Sequence, residues 1–233
     1  MRRMLLPFML MIPVKLALAQ ASDEYVSRRM NMVLTQISQR GVVHRATIKA
    51  METVPRHLFV PHSYRNSAYE DRPLPIGYGQ TISQPYIVAY MTELMKPTPE
   101  MIALEIGTGS GYQAAVLAEI VKHVYTIEIV PQLGSSAEKT LRKLDYSNVT
   151  TRIADGYHGW QEKGPFDIIV VTAAADHIPP PLIEQLKEGG RMIIPVGSPF
   201  LVQQLMLVEK KGGKVKTRSL IPVRFVPFTR AEE

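Results

Sequence analysis

The sequence predicts an α/β fold built on a doubly wound, mostly parallel sheet, and two observations carry that prediction. Apolar segments of strand length alternate with helical segments from residue 85 to residue 196, which is typical of a parallel sheet covered by helices on both faces. A glycine-rich loop at residues 107–111 separates the first of these strands from a helix, and folds of this kind bind ligands at that point. The chain has 233 residues, 45% of them apolar, which is enough for one domain with a substantial core.

Composition excludes several kinds of site. The chain has no cysteine, so disulfide scaffolds, thiolate zinc sites, iron–sulfur clusters and cysteine nucleophiles are ruled out. The six histidines show no metal-ligand spacing, so we expect no metal. The net charge is +6, but the basic residues are scattered and three of them fall within the first 19 residues. Nucleic acid is therefore not an expected partner.

Residues 1–21 have the pattern of a secretory leader. Two arginines precede an apolar run from residue 4 to residue 14, and Ala17-Leu18-Ala19 has the small-x-small spacing of a cleavage site. Lys15 interrupts this pattern, and an extension ahead of a later start at Met30 or Met32 explains the segment equally well. The apolar run is shorter than the ~20 residues of a membrane-spanning helix, so we expect no stable membrane association. The rest of the chain, residues 22–233, is predicted to be a single domain.

Residues 22–84 are predicted to form a helical extension followed by a functional loop. Apolar residues recur at helical spacing from Val26 to Ile37, Gly41 ends that run, and a second helix is predicted over 46–53. Residues 71–84 contain two prolines and two glycines, and we expect them to be irregular. A loop of this length without secondary structure is usually functional.

Residues 85–233 are predicted to form the ligand-binding core and to end in an antiparallel hairpin. Apolar runs separated by turn residues give the strands, and amphipathic segments give the helices. The sequence Lys211-Gly212-Gly213-Lys214 marks the turn of the hairpin, between strands at 201–209 and 215–226. The predicted strands of the sheet are 101–106, 124–129, 149–153, 167–172 and 191–196, and the predicted helices are 86–95, 112–121, 132–144 and 181–187.

The glycine loop predicts a ligand that carries a ribose and need not carry a diphosphate. Its spacing, G-x-G-x-G over 107–111, differs from the dinucleotide fingerprint, and the Gly-Lys-Ser/Thr of a phosphate loop is absent. Glu128 ends the next predicted strand, 21 residues after Gly107, where a carboxylate can accept hydrogen bonds from ribose hydroxyls. Glu105, just before the loop, favours a cationic ligand over a phosphate. S-adenosylmethionine meets all these conditions.

Asp155-Gly156 follows the third strand at the same sheet edge, where an acid can accept a hydrogen bond from an adenine amino group. Simpler explanations remain open for each of these features: a tight turn without a ligand for the glycine loop, a solvated acid for Glu128, a partner of the loop amides for Glu105, and an ordinary Asp-Gly turn for residues 155–156.

The acceptor is predicted to be a carboxylate. The strand at 167–172 is followed by Ala-Ala-Ala-Asp, not by the Asn/Asp-Pro-Pro-aromatic turn usual in enzymes that methylate base amines. No nucleophile–base pair stands out, and a carboxylate needs none because it is already ionised at neutral pH. Thr81 and Ser83, in the loop of residues 74–85, could donate hydrogen bonds to it. Alternatively, Ser83 caps the helix that Pro85 opens.

Four segments carry a resemblance to the protein-L-isoaspartate O-methyltransferase family, which extends over about residues 25–229. They read LPIGYGQTISQP, LEIGTGSGY, FDIIVVTAA and GGRMIIPVG, at residues 74–85, 104–112, 166–174 and 189–197; Arg224-Phe-Val-Pro227 also fits. The first segment is particular to this family, whereas the glycine loop is shared with many methyltransferases. Ile129 departs from the pattern, because many relatives have a basic residue there.

The resemblance implies a Rossmann-like methyltransferase fold and a monomeric, cytoplasmic repair enzyme. Its substrates would be damaged proteins and peptides, methylated by S-adenosylmethionine on the free α-carboxylate of L-isoaspartyl residues. The leader at residues 1–21 is unusual for the family and would imply a periplasmic or exported protein if it is cleaved. The resemblance places the active-site residue at Ser83. It places the cofactor contacts at Glu105, Gly107, Thr108, Gly109, Gly111, Glu128, Asp155 and Gly156, and the substrate contacts at Ile76, Thr81, Ser83 and Val226.

Two other functions remain open on the sequence. One is a methyltransferase for another acceptor, such as a small acid or RNA, although such an enzyme would not need the loop at 74–85. The other is a non-catalytic protein that keeps the fold and binds adenosyl ligands.

Overall fold

The computed structural model describes residues 24–198 and 201–231, so the leader predicted at residues 1–21 lies outside the described residues. The N-terminal extension packs as a series of short helices. Residues 24–32 form α1, which continues through a π-helical turn (Val33–Ile37) and a 3-10 turn (Ser38–Arg40). The helix α2 follows (Arg45–Thr53), and then 3-10 turns at Arg56–Leu58 and His62–Ser67. Within the described parts of the chain, no helix combines the length and apolarity needed to cross a bilayer.

The apolar positions predicted to share one face of α1 do not share one environment. Val33 and Ile37 are buried, whereas Val26, Met30 and Leu34 are 44–58% exposed. The π turn is one reason, because it changes the angular spacing of side chains from the 3.6 residues per turn assumed in the prediction.

The prediction of an irregular loop at 71–84 is wrong. Two short strands, β1 (Leu74–Gly77) and β2 (Gln80–Ile82), pair antiparallel in this stretch. Three consecutive residues at the tip, Gly77, Tyr78 and Gly79, have positive φ angles of 96°, 53° and 70°. Two glycines in three residues make this tight reversal feasible. Pro73 and Pro75, just before and within β1, obscured the alternation of apolar and polar residues that would have predicted a strand. Helix α3 (Pro85–Leu94) follows directly and places the hairpin over the sheet edge.

A seven-stranded sheet forms the centre of the molecule, as predicted. Its order is β5-β4-β3-β6-β7-β8-β9, parallel from β5 to β7 and antiparallel from β7 to β9. The strands are β3 (Ile102–Ile106), β4 (His123–Glu128), β5 (Val149–Ile153), β6 (Phe166–Val171), β7 (Leu186–Val196), β8 (Gln203–Lys211) and β9 (Lys214–Val223). The helices between them are α4 (Tyr112–Ala118), α5 (Pro131–Lys143) and α6 (Pro180–Glu184).

Several element boundaries differ from the prediction by a few residues, and the largest difference lies between α6 and β7. Strand β7 begins at Leu186 rather than after Gly189-Gly190, and α6 ends at Glu184 instead of residue 187. The two glycines lie inside the strand, where the register with β6 is irregular. Glycine within a strand often marks such an irregularity rather than the start of the strand.

Both faces of the sheet are buried, which confirms the doubly wound arrangement. Successive residues of β6 alternate between two hydrophobic clusters: Ile168 and Val170 face one, and Ile169 and Val171 face the other. The N-terminal extension, α3 and α4 contribute to the first cluster.

The strand order fixes where a ligand can bind. From β3 the chain proceeds to β4 and β5 on one side and returns to β6 and β7 on the other. The connections therefore diverge at the carboxyl ends of β3 and β6, and a crevice opens between them.

Candidate active site

Three neighbouring cavities open at the carboxyl ends of β3 and β6, and Thr81 and Thr172 line all of them. Each cavity is named after a charged residue that lines only that cavity. They are the Glu128 cavity, the Glu105 cavity and the Arg224 cavity. Their shared walls mean that ligands in adjacent cavities would touch one another.

Each cavity joins segments that are distant in the sequence. The Arg224 cavity measures about 420 Å³ and lies between the end of the β1–β2 hairpin and the chain that follows β9. The glycine loop borders the other two cavities. Beyond Thr81 and Thr172, the Glu128 cavity is lined by Gln80, residues 106–107, Gly109, residues 127–130, Gly156, Ala173 and residues 226–229, and the Glu105 cavity by residues 82–83, Val88, residues 107–110 and residues 112–113.

The glycine loop and the end of β6 meet in a tight contact. The Thr172 hydroxyl donates to the carbonyl oxygens of Ile106 (3.0 Å) and Gly107 (2.6 Å). A Cβ atom on Gly107 would lie 2.4 Å from Thr172 Oγ1, and Gly107 has a φ of +92°. Gly156 is equally constrained, because its Cβ would lie 2.4 Å from Ile106 Cγ2. Glycine is therefore required at both positions by the close approach of neighbouring chain segments.

Glu105 is a fully buried acid with one unsatisfied oxygen. Its Oε2 atom accepts a hydrogen bond from the Thr126 hydroxyl, which lies 2.6 Å from the hydroxyl of Thr108. Its Oε1 atom has no hydrogen-bond partner among the described residues. Burial raises the pKa of Glu105 to about 8; the bond from Thr126 offsets part of this effect, and the charge of Glu128 adds to it. A buried carboxylate of this kind is stabilised by a cationic ligand in the cavity.

Glu128 holds the glycine loop from the opposite side. Its two oxygens accept hydrogen bonds from the backbone amides of Gly109 (2.7 Å) and Val130 (2.9 Å), and the residue is 5% exposed. Each carboxylate oxygen can accept more than one hydrogen bond. The side chain also lines its cavity, so it can receive hydroxyl donors from a ligand while it supports the loop.

The chain after β9 closes the Glu128 cavity. The amide of Ala174 donates to the carbonyl of Val226, and the amide of Phe228 donates to the carbonyl of Ala174, both at 2.8 Å. Ala174 lies just after β6, so these two bonds fix residues 226–228 across the crevice.

Asp155 is engaged by the same C-terminal segment. Its Oδ2 accepts from Arg230 Nε (2.8 Å) and the amide of Ala231 (3.2 Å), and its Oδ1 from the amide of Tyr157 (2.9 Å). Burial acts to raise the pKa of Asp155, but the hydrogen bonds from Arg230 and the two amides outweigh it, so the pKa is below its usual value. The predicted adenine contact is thus paired with Arg230 in this structure.

Ser83 lies where two cavities meet. It lines both the Glu105 cavity and the Arg224 cavity. Gln84, not Ser83, is the N-cap residue of α3, and no side chain caps that helix. The alternative role of Ser83 as a helix cap is therefore wrong. Its hydroxyl has no hydrogen-bond partner among the described residues and is free to bind a ligand.

Most of the residues singled out from the sequence line the cavities of this crevice, and three do not: Ile76, Gly111 and Asp155. The Cδ1 atom of Ile76 would lie 3.4 Å from a Cβ on Gly109. Gly111 (φ +86°) instead allows close packing against Leu141, since its Cβ would lie 3.2 Å from Leu141 Cδ1. The cavities are lined by Thr81, Ser83, Glu105, Gly107, Thr108, Gly109, Glu128, Gly156 and Val226.

Sequence reasoning missed several lining residues. Thr172 ends a strand beside the glycine loop, and that position was an available signal. Gln113, 7% exposed and bonded to Thr92 (3.0 Å), reaches the Glu105 cavity through helix packing. Neither Gln113 nor the C-terminal lining residues 227–229 had a local sequence signal.

Comparison with known proteins agrees with this geometry. The sequence model of the family described as protein-L-isoaspartate(D-aspartate) O-methyltransferase matches residues 27–233. The chain belongs to this family. The family member from Opitutus terrae is 54% identical over 230 residues, which are 99% of each chain. Protein-L-isoaspartate O-methyltransferase 2 of a Polaromonas species is 63% identical over 180 residues, 77% of this chain and 85% of that protein.

Two solved structures share the fold of this family member. One, a protein-L-isoaspartate O-methyltransferase, has a TM-score of 0.76 and 31% identity; the match covers 85% of this chain and 65% of that one. The other is described as the Plasmodium falciparum protein-L-isoaspartate O-methyltransferase in complex with S-adenosyl-L-homocysteine. It also has a TM-score of 0.76, with 25% identity, and the match covers 87% of this chain and 99% of that one.

The two loop cavities have the chemistry needed to bind an adenosyl amino acid. Glu128 offers carboxylate oxygens for ribose hydroxyls, and the unsatisfied Oε1 atom of Glu105 suits an ammonium group. Gly107 and Gly156 line the Glu128 cavity, and glycine at these positions lets the neighbouring segments pack closely around it.

We predict that Gly107→Ala weakens S-adenosyl-L-homocysteine binding at least tenfold, measured by isothermal titration calorimetry. The new methyl group must displace Thr172 and distort the loop. Gly41→Ala is the matched control, because Gly41 has nearly the same φ angle (+93°) but no heavy atom within 4 Å of the added Cβ. The control should lose about 1 kcal/mol of stability from backbone strain and keep wild-type affinity. Equal affinities in the two variants would contradict the prediction.

We predict that S-adenosyl-L-homocysteine affinity increases with pH between 6 and 8. Glu105, whose pKa burial raises to about 8, is largely neutral in the free protein below that pH, and a bound ammonium group favours its ionised form. Binding therefore releases a proton, and Kd falls by as much as about tenfold per pH unit until the pH reaches the pKa of the free protein. Glu105→Gln should bind with a Kd independent of pH over this range. A flat wild-type profile, or a slope retained in Glu105→Gln, would exclude Glu105 as the titrating group.

Proposed function

We propose that this chain methylates the free α-carboxylate of L-isoaspartyl residues in damaged proteins and peptides, and so begins their repair. S-adenosylmethionine is the methyl donor. The observation that carries the proposal is the position of Ser83, which lines both the cavity of the buried acid Glu105 and the larger Arg224 cavity. A donor in the first cavity and an acceptor in the second would meet beside its hydroxyl.

The donor side is assigned to the glycine loop and its acids. Glu105 would hold the ammonium group of the donor, and Glu128 would accept the ribose hydroxyls. Asp155, now bonded to Arg230, would accept the adenine amino group once that bond opens. Gly107, Thr108, Gly109 and Gly156 would form the backbone cradle, with Gly111 supporting it through its contact with α5. When bound, the donor supplies a methyl group on a sulfonium sulfur.

The acceptor side is assigned to the hydroxyls of Thr81 and Ser83 and to the wall at Val226, all of which line the Arg224 cavity. Ile76 would not contact the acceptor itself. Its side chain on β1 would pack against the glycine loop at Gly109 and so support the position of the hairpin. Ser83 would donate a hydrogen bond to one carboxylate oxygen while the other forms the new O–CH₃ bond. The electron pair of the breaking S–CH₃ bond stays on sulfur, so charge is neutralised on both partners.

The protein need not supply a general base for this reaction. A carboxylate is ionised at neutral pH and loses no proton when it is methylated. Holding the two reactants in line and excluding water is then the main catalytic contribution, and it is worth on the order of 7–11 kcal/mol in favourable cases. The cavities can provide this alignment because Thr81 and Thr172 form walls of all three.

We further propose that the protein acts as a monomer on its damaged protein substrates, without nucleic acid or stable membrane association. The expected location is the cytoplasm, as the family resemblance implies; cleavage of residues 1–21 would instead place it in the periplasm or outside the cell. Amino-terminal sequencing of the natively expressed protein distinguishes these locations.

We predict that labelled methyl groups are transferred to a peptide with one L-isoaspartyl residue and not to the same peptide with aspartate. The reason is that the free carboxylate is the α-carboxylate in the isoaspartyl residue and the side-chain carboxylate in the aspartyl residue. The two groups lie at different distances from the peptide backbone, so a cavity that holds the backbone can place only one of them correctly. The measurement is incorporation of radioactivity from labelled S-adenosylmethionine into the paired peptides. Equal labelling would refute the proposed specificity, and tight cofactor binding without any transfer would indicate a non-catalytic binder.

We predict that Ser83→Ala lowers kcat for the isoaspartyl peptide about 10- to 100-fold, since one hydrogen bond to a charged group is lost, worth about 1.5–3 kcal/mol. The Kd for S-adenosyl-L-homocysteine should stay within about twofold of wild type. Ser136→Ala, an exposed serine on α5, is the control and should change neither value. If Ser83→Ala has wild-type kcat, Ser83 has no role in positioning the acceptor.

A further inference from the structure

The Arg224 cavity contains one charged residue that the proposed function has not used. Arg224 is the only ionisable side chain among the described residues that line it; the others are aliphatic, aromatic, proline, hydroxyl or amide residues. In the Glu105 cavity, by contrast, the only ionisable groups in the described lining are Glu105 itself and the Tyr112 phenol. The cavity on the donor side is therefore lined by an acidic residue, and the adjoining cavity on the acceptor side by a basic one.

Arg224 is not engaged in holding the fold together. It is exposed, and no ion pair or hydrogen bond joins its guanidinium to another described residue. Three other arginines, Arg40, Arg191 and Arg230, are each paired with a carboxylate at 2.5–2.8 Å. The charge of Arg224 is thus available to a ligand, unlike that of these other arginines.

The backbone on either side of Arg224 is firmly anchored. Val223 pairs with Gln203 in the sheet, and the amide of Phe225 donates to Gln203 Oε1 at 2.9 Å. Gln203 is 1% exposed, and its Nε2 atom donates to the carbonyls of Ser198 and Leu201. The next residue, Val226, is bonded to Ala174 beside the crevice. Arg224 therefore projects from a fixed position at the cavity wall.

We propose that Arg224 binds the carboxylate of the acceptor as it enters and selects acceptors that carry this negative charge. This proposal rests on the proposed function and adds a specificity residue to it. A permanently charged guanidinium on the acceptor side attracts an incoming carboxylate and matches its planar shape.

Recognition of the acceptor's charge by Arg224 also favours release of the product. Methylation converts the acceptor carboxylate to a neutral ester, so the product no longer has the charge that Arg224 binds. Arg224 therefore acts on acceptor affinity, whereas Ser83 acts on the orientation of the reacting oxygen. Substitution of Arg224 should change KM for the acceptor and leave kcat almost unchanged.

The test compares Arg224→Met with Arg218→Met, using the full chain, an L-isoaspartyl peptide and its neutral isoasparaginyl analogue as an inhibitor. Arg218 is exposed on β9 and lines none of the three cavities. It precedes Arg224 by six residues of extended chain, which span about 20 Å. At low ionic strength Arg224→Met should raise KM about 5- to 20-fold with kcat within about twofold. Arg224→Lys should recover most of the loss, and Arg218→Met should behave as wild type.

The neutral analogue separates charge recognition from a general defect. Its inhibition constant should be the same in wild type and Arg224→Met, because the amide has no charge to lose. In the wild type, added salt should raise KM for the isoaspartyl peptide and leave the inhibition constant unchanged. The proposal is overturned if KM is equal in the two methionine variants, or if the inhibition constant rises in parallel with KM. Failure of the wild type to methylate the peptide at all would instead overturn the proposed function.

Discussion

The contact between the Thr172 hydroxyl and the carbonyl of Gly107 is the constraint on which the site depends. It joins the end of β6 to the loop after β3 at 2.6 Å, and it is compatible only with glycine at position 107. Thr172 also lines all three cavities, so the same contact sets the distance between the donor and acceptor sides. The strand order makes it possible, because β3 and β6 are neighbours whose connections leave in opposite directions.

Charge is distributed around this contact in a way that matches the reaction. Two acids, Glu105 and Glu128, are buried on the donor side, and a free arginine, Arg224, stands on the acceptor side. Under the proposed assignment, a cationic donor and an anionic acceptor would occupy different cavities that share a wall. The β1–β2 hairpin and the C-terminal segment cover the crevice from two sides, which limits water near the reacting atoms. A site of this kind acts by alignment and electrostatic complementarity rather than by proton transfer.

The sequence was sufficient to predict the fold class and the cofactor, because these depend on local patterns. Most of the residues that it singled out for the site also line the cavities, although many other lining residues were not singled out. Buried strands such as β6 read as continuous apolar runs, and the glycine loop lies in the strand–helix context that gives it meaning. The resemblance, carried above all by residues 74–85, supplied the isoaspartyl identity of the predicted carboxylate acceptor and the assignment of Ser83 as the active-site residue.

What could not be predicted depends on contacts between distant segments. The β1–β2 hairpin was missed because its strands are only four and three residues long and β1 contains a proline, Pro75. The pairing of Asp155 with Arg230 spans 75 residues, and nothing near Asp155 indicates it. Gln113 reaches the crevice only through the packing of α4. Arg224 belongs to a segment that matches the family, but its place beside Thr81 and Ser83 in one cavity appears only when the C-terminal segment meets the hairpin. The unsatisfied oxygen of Glu105 is likewise a property of the packed structure.

The most direct test of the central claim is a crystal structure of the protein with S-adenosyl-L-homocysteine and an isoaspartyl peptide. The account predicts that the ligand sulfur lies between Gly107 and Ser83, with the peptide carboxylate facing it from the cavity of Arg224. A sulfur atom remote from Ser83, or a peptide bound outside that cavity, would contradict the account.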